Sequence, residues 1–221
     1  MHESGQRTFR LAAPPAPDYV IGMPELMQEA PSPTHRFVLG DGVLELVRGD
    51  VTRQKTDAIG NAANALLLGG GGVDGAIHRA AGPELIEALL ALKKTLPGGV
   101  LRTGGAVITA GFRLPAKHVV HCVGPIYARE GSEAEEMLAS CYREALALVR
   151  QNALASIAFP SIATGVYGYP VREAAEVAIR TIDEEIREHR APSLVRFALF
   201  DEATLDAYER AARGRNLAKM G

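Results

Sequence analysis

The 221-residue chain has few cysteines, no excess of basic residues and no long apolar run. Its two cysteines, Cys122 and Cys141, show neither CxxC nor metal-site spacing, so we expect buried free thiols in a reducing compartment. With 24 Lys and Arg against 26 Asp and Glu, the net charge of −2 is unlike the basic surface of a general nucleic-acid-binding protein. Neither a membrane-length apolar run nor a basic segment followed by an apolar one is present. We therefore expect a soluble, cytoplasmic protein that does not act at a membrane.

The first 34 residues differ in composition from the rest of the chain. They hold six prolines and sustain no apolar periodicity. The sequence therefore predicts a Pro-rich N-terminal extension of low order over residues 1–34 and one folded domain over residues 35–221, which is long enough to bury a core. An alternative that stays open is that Met23 or Met27 is the true start.

From His35 onward, short apolar runs alternate with helical patterns. Residues 37–39 and 43–47 flank Gly40-Asp41-Gly42 and predict a hairpin. Further strands are predicted at residues 57–59, 106–109, 119–123, 156–159 and 195–200, and helices near residues 74–94, 132–151, 171–190 and 204–212. This order predicts an α/β fold with a mixed, mostly parallel sheet that is covered on both faces. In such sheets ligands bind outside the carboxyl ends of the strands.

Four consecutive glycines, residues 69–72, stand between an Asn-containing segment at residues 61–64 and a helix start at Val73. Because glycine has no Cβ, such a segment lets backbone N–H groups approach an anion, most often phosphate, at a helix N-terminus. A flexible linker is the alternative. The apolar residues on both sides, 66–68 and 76–77, favour a segment embedded in the core instead.

Polar segments follow three of the predicted strands. In the first, the Asp50 carboxylate and the Val51 N–H suit the amino edge and ring nitrogen of adenine, although an ordinary Asx turn is the alternative. In the second, Asn61 and Asn64 suit ribose hydroxyls, with turn capping as the alternative. The third, residues 160–170, is another glycine-bearing anion loop. Two such loops at neighbouring strand ends predict a pyrophosphate held from both sides. No Gly-Lys-Ser/Thr follows either loop, and neither supplies GxGxxG in the setting that makes it a dinucleotide fingerprint, so we do not expect nucleotide triphosphate hydrolysis.

In this order, from about residue 43 to residue 212, the segments resemble a macrodomain of the MacroD type. The resemblance is carried by GDVT at residues 49–52, DAIGNAAN at 57–64, LLGGGGVDGAIHRAAG at 67–82, LPAK at 114–117 and TGVYGYP at 164–170. It implies a three-layer α/β/α fold that binds ADP-ribose and hydrolyses mono-ADP-ribose esters on Asp and Glu side chains. It also implies deacetylation of O-acetyl-ADP-ribose. No metal and no cofactor are implied.

The resemblance also implies roles for single residues. Asp50 and Val51 would contact adenine, Phe200 would pack on the adenine face, and Asn61 and Asn64 would position the distal ribose. The backbone of residues 70–73 and the loop at 164–167 would hold the diphosphate, and Tyr167 would close over the ribose. The expected ADP-ribose ligands are Asp50, Val51, Asn61, Asn64, Gly70, Gly71, Gly72, Val73, Asp74, Ser161, Thr164, Gly165, Val166, Tyr167 and Phe200.

Asp74 and His78 carry the mechanistic question. Four residues apart at a helix start, they share one helix face, so we expect both to point into the ribose end of the cleft. Asp74 would orient the attacking water or act as the base at the anomeric carbon. An N-cap role for Asp74 is compatible with this, and a packed or surface histidine is the alternative for His78. The expected catalytic residues are Asp74, Asn61, Asn64 and His78.

Two positions depart from the family pattern. Gly60 replaces a branched apolar residue, and we expect it to weaken local packing by roughly 1 kcal/mol and to widen the approach to Asn61. Ala163 stands where serine is common.

The expected partners are ADP-ribose and mono-ADP-ribosylated proteins, and we expect a monomer. Two alternative functions remain at this point: a non-catalytic ADP-ribose reader, and a hydrolase of ADP-ribosylated nucleic-acid ends.

Overall fold

A computed structural model describes residues 35–220 of the chain. The expected extension at residues 1–34 lies outside the described residues. No helix within residues 35–220 has the length and apolar character needed to cross a membrane.

Seven strands form a single mixed sheet in the order β1-β2-β7-β6-β3-β5-β4. The pairs β1–β2 and β4–β5 are antiparallel, and the other neighbours are parallel. The predicted hairpin is confirmed as β1–β2. The strands are β1 His35–Leu39, β2 Gly42–Arg48, β3 Ala58–Ala62, β4 Ala106–Ala110, β5 His118–Cys122, β6 Ser156–Phe159 and β7 Leu194–Leu199.

Helices cover both faces of this sheet. Apolar residues of the first two helices pack with one set of strand side chains, and residues of three later helices pack with the other set. This arrangement confirms the predicted three-layer α/β/α fold. The helices are α1 Gly72–Ala81, α2 Pro83–Lys93, a short α3 Tyr127–Glu130, α4 Ala134–Gln151, α5 Val171–His189 and α6 Glu202–Gly214.

The helical segment predicted near residues 74–94 is two helices, α1 and α2, and not one. Gly82 has a φ of 88° and ends α1, and Pro83 at the next position begins α2. A positive φ and a proline at the first helical position are the usual marks of a helix end and a helix start. The apolar pattern runs on through both helices, which is why periodicity alone did not reveal the break.

The core on the α4–α6 side is built around four aromatic rings. Tyr142, Phe159, Phe197 and Tyr208 form ring pairs with centroids 4.5 to 6.1 Å apart. All four are fully buried. The two cysteines are free and buried, as predicted, and burial raises the pKa of Cys141 to about 12, which makes it a poor nucleophile.

The expected packing defect at Gly60 is not seen, because Phe159 fills the space beside it. Gly60 is the third residue of β3, and a Cβ at this position would lie 2.5 Å from Cδ1 of Phe159. The phenyl ring therefore occupies the space that a side chain would need. Because side chains alternate along a strand, this space lies on the face opposite to Asn61, so Gly60 does not widen the approach to Asn61.

We predict that Gly60→Ala lowers the free energy of unfolding by about 2 kcal/mol, because an added methyl group overpacks the core against Phe159. The measurement is urea-induced unfolding followed by circular dichroism. Gly214→Ala is the matched control, since a Cβ there meets no atom within 4 Å. Equal unfolding midpoints for the two variants would show that the ring moves aside at little cost.

Candidate functional site

A cleft of ≈ 730 Å³ opens at the carboxyl ends of the parallel strands β2, β3, β6 and β7. This size lies within the range of about 300 to 1,000 Å³ that is typical of ligand pockets. The lining residues are Gly49, Asp50, Val51, Ala62, Ala63, Asn64, Gly70, Gly71, Gly72, Val73, Asp74, Ala76, Gly124, Pro160, Ser161, Ala163, Thr164, Gly165, Val166, Tyr167, Ala198, Phe200, Asp201 and Thr204.

At one end of the cleft, Asp50 is held in a fixed orientation. Its Oδ1 accepts hydrogen bonds from the N–H and the hydroxyl of Thr52, both at 2.8 Å, while Oδ2 takes part in neither bond. Behind it, Gln54 donates to the Asp50 carbonyl at 2.8 Å and accepts from Arg196 at 3.0 Å. Arg196 in turn donates to Glu45 at 2.9 Å. The Asx turn and the cleft-lining role therefore coexist, and one carboxylate oxygen remains available to a ligand.

Two large apolar side chains on the cleft rim face solvent. Phe200, directly after β7, is 90% exposed, and Val166, in the loop after β6, is fully exposed. Exposed apolar side chains around a cavity are typical of a surface that a ligand covers.

The segment before the glycines is pinned to the domain. Asn64 donates through Nδ2 to the Gly69 carbonyl at 2.8 Å, and its Oδ1 accepts from the Leu66 N–H at 3.0 Å. Leu67 is buried, whereas Leu66 and Leu68 are half exposed. One of the three leucines thus anchors the segment in the core, which rules out a flexible linker.

The glycines lead directly into α1. Its first helical hydrogen bond runs from the Gly75 N–H to the Gly71 carbonyl at 3.2 Å, so the N–H groups of Gly72, Val73 and Asp74 precede it. Such N–H groups at a helix start have no acceptor within the helix and suit an anion. Gly71 is the N-cap. Asp74 is the third helical residue, so the N-cap role suggested for it is wrong.

The loop after β6 forms the opposite wall. Tyr208 donates to Ser161 Oγ at 3.0 Å, and the Thr164 hydroxyl donates to the Ser161 carbonyl at 3.2 Å. The Gly168 N–H donates to the Gly165 carbonyl at 2.9 Å and closes a turn. A Cβ on Gly165 would meet no atom within 4 Å, so this wall leaves open space toward the cleft. Ala163, the second departure from the family pattern, has a φ of 66° in this loop.

Asp74 lies at the other end of the cleft and is 5% exposed. Its Oδ1 accepts from Asn61 Nδ2 at 2.7 Å, and its Oδ2 lies 3.5 Å from Asn64 Nδ2. Tyr167 lines the same part of the domain surface as Asp74, and burial, followed by the negative charge of Asp74, raises the pKa of the Tyr167 hydroxyl. The structure thus brings Asp74, Asn64 and Tyr167 together.

Two expected site residues lie behind this carboxylate and not in the cleft lining. Asn61 is fully buried and reaches Asp74 from below. His78 packs against Gly69, and its Nε2 lies 3.5 Å from Asp74 Oδ1 without a hydrogen bond. His78 instead borders a separate shallow depression beside Arg79. The prediction that Asp74 and His78 both point into the cleft therefore fails for His78, because its ring is covered by the glycine segment.

The sequence reasoning missed His121. It is fully buried in β5, and its Nδ1 lies 3.1 Å from Asn61 Nδ2. Burial lowers the pKa of His121 to about 3, with a smaller contribution from nearby His78, so the ring is neutral at physiological pH. The only sequence signal was a histidine within an apolar strand, and that signal does not reveal which residue it faces.

The described residues that line the cleft include no Lys and no Arg. Within residues 35–220, no group of three or more His, Cys, Asp and Glu is placed to hold a metal ion. An anion in the cleft would therefore be held by backbone N–H groups, and its affinity would not come from pairing with basic side chains.

Comparisons with known proteins match this geometry. The sequence model described as Macro domain matches residues 60–178. The chain is 50% identical over 169 residues to Macro domain-containing protein CT2219 of Chlorobaculum tepidum, covering 76% of this chain and 95% of the relative. It is 48% identical over 167 residues to the O-acetyl-ADP-ribose deacetylase of Escherichia coli strain K12, covering 76% and 93%.

Solved structures are similar as well. The Oceanobacillus iheyensis macrodomain with ADP has a TM-score of 0.79 and 47% identity, covering 82% of this chain and 95% of that one. The Trypanosoma brucei macrodomain in complex with ADP-ribose has a TM-score of 0.68 and 42% identity, covering 76% and 68%. On its sequence motifs, its fold and these matches, the chain belongs to the Macro domain family.

Proposed function

We propose that this protein binds ADP-ribose in the cleft and hydrolyses esters of ADP-ribose. The substrates would be O-acetyl-ADP-ribose and mono-ADP-ribosylated Asp and Glu side chains of proteins. One observation carries the proposal: a buried, hydrogen-bonded carboxylate, Asp74, stands at one end of a cleft whose other end presents a second carboxylate, Asp50. The similarity to relatives named O-acetyl-ADP-ribose deacetylase supports the reaction class.

Adenine would occupy the Asp50 end of the cleft. The unused Oδ2 would accept from the adenine amino group, and the Val51 N–H would donate to a ring nitrogen. Phe200 is exposed and would cover the ring face, which buries apolar area on both partners. This end would select adenine over bases that lack an amino group.

The diphosphate would lie between the two loops. The N–H groups of Gly72, Val73 and Asp74 precede the first hydrogen bond of α1 and are directed to its N-terminal end, where the helix dipole favours negative charge. The loop at residues 164–167 would hold the opposite side, with Val166 and Tyr167 closing over the ligand. Gly70, Gly71 and Gly165 would allow the phosphates to approach the backbone closely.

The distal ribose would then lie beside Asp74 and Asn64. In an ester on Asp or Glu, the carboxylate is joined to the anomeric carbon. Water would add to that carbon as the carbon–oxygen bond to the protein carboxylate breaks, and the water would lose one proton. Asp74 would orient this water or accept the proton, and a phosphate oxygen of the substrate would share the task.

In O-acetyl-ADP-ribose the acetyl group is esterified to a ribose hydroxyl. The same oriented water would add to the acetyl carbonyl, and the ribose oxygen would leave with a proton to give ADP-ribose and acetate. Both reactions need one water held at the ribose end, so one carboxylate serves both. The absence of basic side chains from the described cleft lining disfavours a nucleic-acid substrate, which needs phosphate contacts beyond the nucleotide.

We predict that Asp74→Asn lowers the turnover number about 100-fold and leaves ADP-ribose affinity nearly unchanged, since an amide keeps the shape but neither accepts a proton nor orients water as a carboxylate does. The measurement is release of ADP-ribose from a protein mono-ADP-ribosylated on glutamate, together with calorimetry of ADP-ribose binding. Asp41→Asn, at an exposed position in the β1–β2 turn, is the control.

Two results would contradict this picture in different ways. Tight binding by the wild type without release would indicate a reader module. Wild-type turnover by Asp74→Asn would leave the hydrolase standing and remove Asp74 from its mechanism.

We predict that Asp50→Asn weakens the base preference of the cleft. The wild type should bind ADP-ribose about tenfold or more tightly than its hypoxanthine analogue, because the carboxylate repels the carbonyl that replaces the amino group. In the variant, the oxygen stays with Thr52 and the amide nitrogen donates to that carbonyl. Competition calorimetry with both ligands measures the ratio. An unchanged preference would mean that adenine does not lie at Asp50.

We predict that Gly165→Ala lowers ADP-ribose affinity about tenfold without changing the free energy of unfolding. In the described structure a Cβ at Gly165 meets no atom within 4 Å, and φ is not positive there, so the added methyl group would clash only with a ligand. Calorimetry and urea unfolding are compared with those of Gly214→Ala. Full affinity in Gly165→Ala would place the diphosphate away from this loop.

A further inference from the structure

We propose that His121 is a positioning residue for this reaction: its neutral, Nε2-protonated form fixes the amide of Asn61, and that amide fixes the carboxylate of Asp74. The inference rests on the proposed function for its kinetic consequence. Its structural part is the order of hydrogen-bond donors and acceptors, which can be tested without measuring any reaction.

The sheet brings these side chains together. In the parallel pair β3–β5, Asn61 and His121 are direct neighbours, and α1 lies over this face of the sheet and supplies Asp74. Asn61 Nδ2 lies 2.7 Å from Asp74 Oδ1 and 3.1 Å from His121 Nδ1. On the far side of the ring, His121 Nε2 lies 2.9 Å from the Thr109 hydroxyl of β4. Asn61 and His121 are both fully buried.

The charge of Asp74 determines the direction of every bond in this chain. A carboxylate accepts only, so Asn61 must present its NH₂ group, and the second amide proton faces His121 Nδ1. Nδ1 is therefore the acceptor, and the ring proton sits on Nε2. Nε2 donates to the Thr109 hydroxyl, which donates to the Ala110 carbonyl at 3.1 Å. This series of hydrogen bonds ends at the Ala110 carbonyl, and each polar hydrogen in the series has one acceptor.

This order gives Asn61 a single stable orientation. Rotating the amide by half a turn would bring its oxygen against both the Asp74 carboxylate and the His121 Nδ1 lone pair, and both contacts are repulsive. A protonated His121 would present an N–H to the amide NH₂ and break the chain. Burial, which lowers the pKa of His121 to about 3, excludes that form near neutral pH.

His121 does not line the cleft, so it would act on the substrate only through Asn61 and Asp74. Loss of the Nδ1 acceptor would let the Asn61 amide rotate, and the Asp74 carboxylate would then lose its fixed orientation. A misplacement of this kind reduces the turnover number more than it reduces ligand binding, because the ligand is held mainly at the adenine and diphosphate. A histidine that only fills space in the core would show no such separation.

Two conservative substitutions separate these roles. In His121→Asn, the amide oxygen falls near the position of Nδ1 and accepts from Asn61. In His121→Gln, the amide falls near Nε2 and keeps only the contact with Thr109. His121→Leu removes both. Val120→Ala is a core control on the same strand, since Val120 packs on the opposite face of the sheet.

We predict that the turnover number falls roughly tenfold or more in His121→Leu and His121→Gln and recovers substantially in His121→Asn, while the dissociation constant of ADP-ribose stays within about twofold in all three. Val120→Ala should lower the melting temperature and keep wild-type turnover. The idea is overturned if His121→Leu keeps wild-type turnover, or if turnover in the four variants simply follows their melting temperatures.

A second measurement does not depend on activity. Long-range ¹H–¹⁵N spectra of histidine-labelled protein should show a His121 signal, assigned by its loss in His121→Leu, with a protonated Nε2 and an unprotonated Nδ1. The pattern should persist from roughly pH 8 to pH 5. A protonated Nδ1 would refute the proposed order of hydrogen bonds.

The two failures are distinguishable. If the wild type releases no ADP-ribose from any ester substrate, the proposed function fails, and the spectra still decide the order of hydrogen bonds. If the wild type is active and His121→Leu is equally active, the hydrolase stands and the positioning role is refuted.

Discussion

The burial of the Asp74 carboxylate is the constraint on which the site depends. A buried charge is costly unless hydrogen bonds and a favourable field offset the loss of water. Here Asn61 donates to the carboxylate at 2.7 Å. Asp74 is also the third residue of α1, where the helix dipole favours negative charge. These two interactions offset the cost of burying the carboxylate beside the cleft.

The same helix start explains the rest of the cleft. Its N–H groups supply positive potential without a basic side chain, and the glycines before it remove the side chains that would keep a ligand away. The opposite loop provides a second backbone wall, which Tyr208 supports from the core through its hydrogen bond to Ser161. Such a cleft presents backbone donors to a ligand and, in the described lining, no Lys or Arg side chain.

Several residues that look unfavourable in the sequence contribute to the cleft and the core beside it. Gly60 gives Phe159 room to pack. His121, a polar residue in an apolar strand, lies within hydrogen-bond distance of both Asn61 and Thr109. Leu67 adopts a φ of 54° while its side chain is buried, which ties the glycine segment to the core. Each sits within a few residues of the cleft, where local preferences commonly yield to the needs of a site.

The sequence alone determined the α/β class, the hairpin, the positions of most strands and helices, and the segments that form the cleft. It could do so because periodicity, glycine tracts and strand-end polarity are local signals. The break at Gly82 also has a local signal, since a glycine followed by a proline marks a helix end and a helix start. The placement of His78 behind the glycine segment and the contact between Asn61 and His121 were decided only by the tertiary structure. The Asn61–His121 contact depends on strand order and register, which join residues 60 positions apart, and no local pattern encodes which side chains then meet.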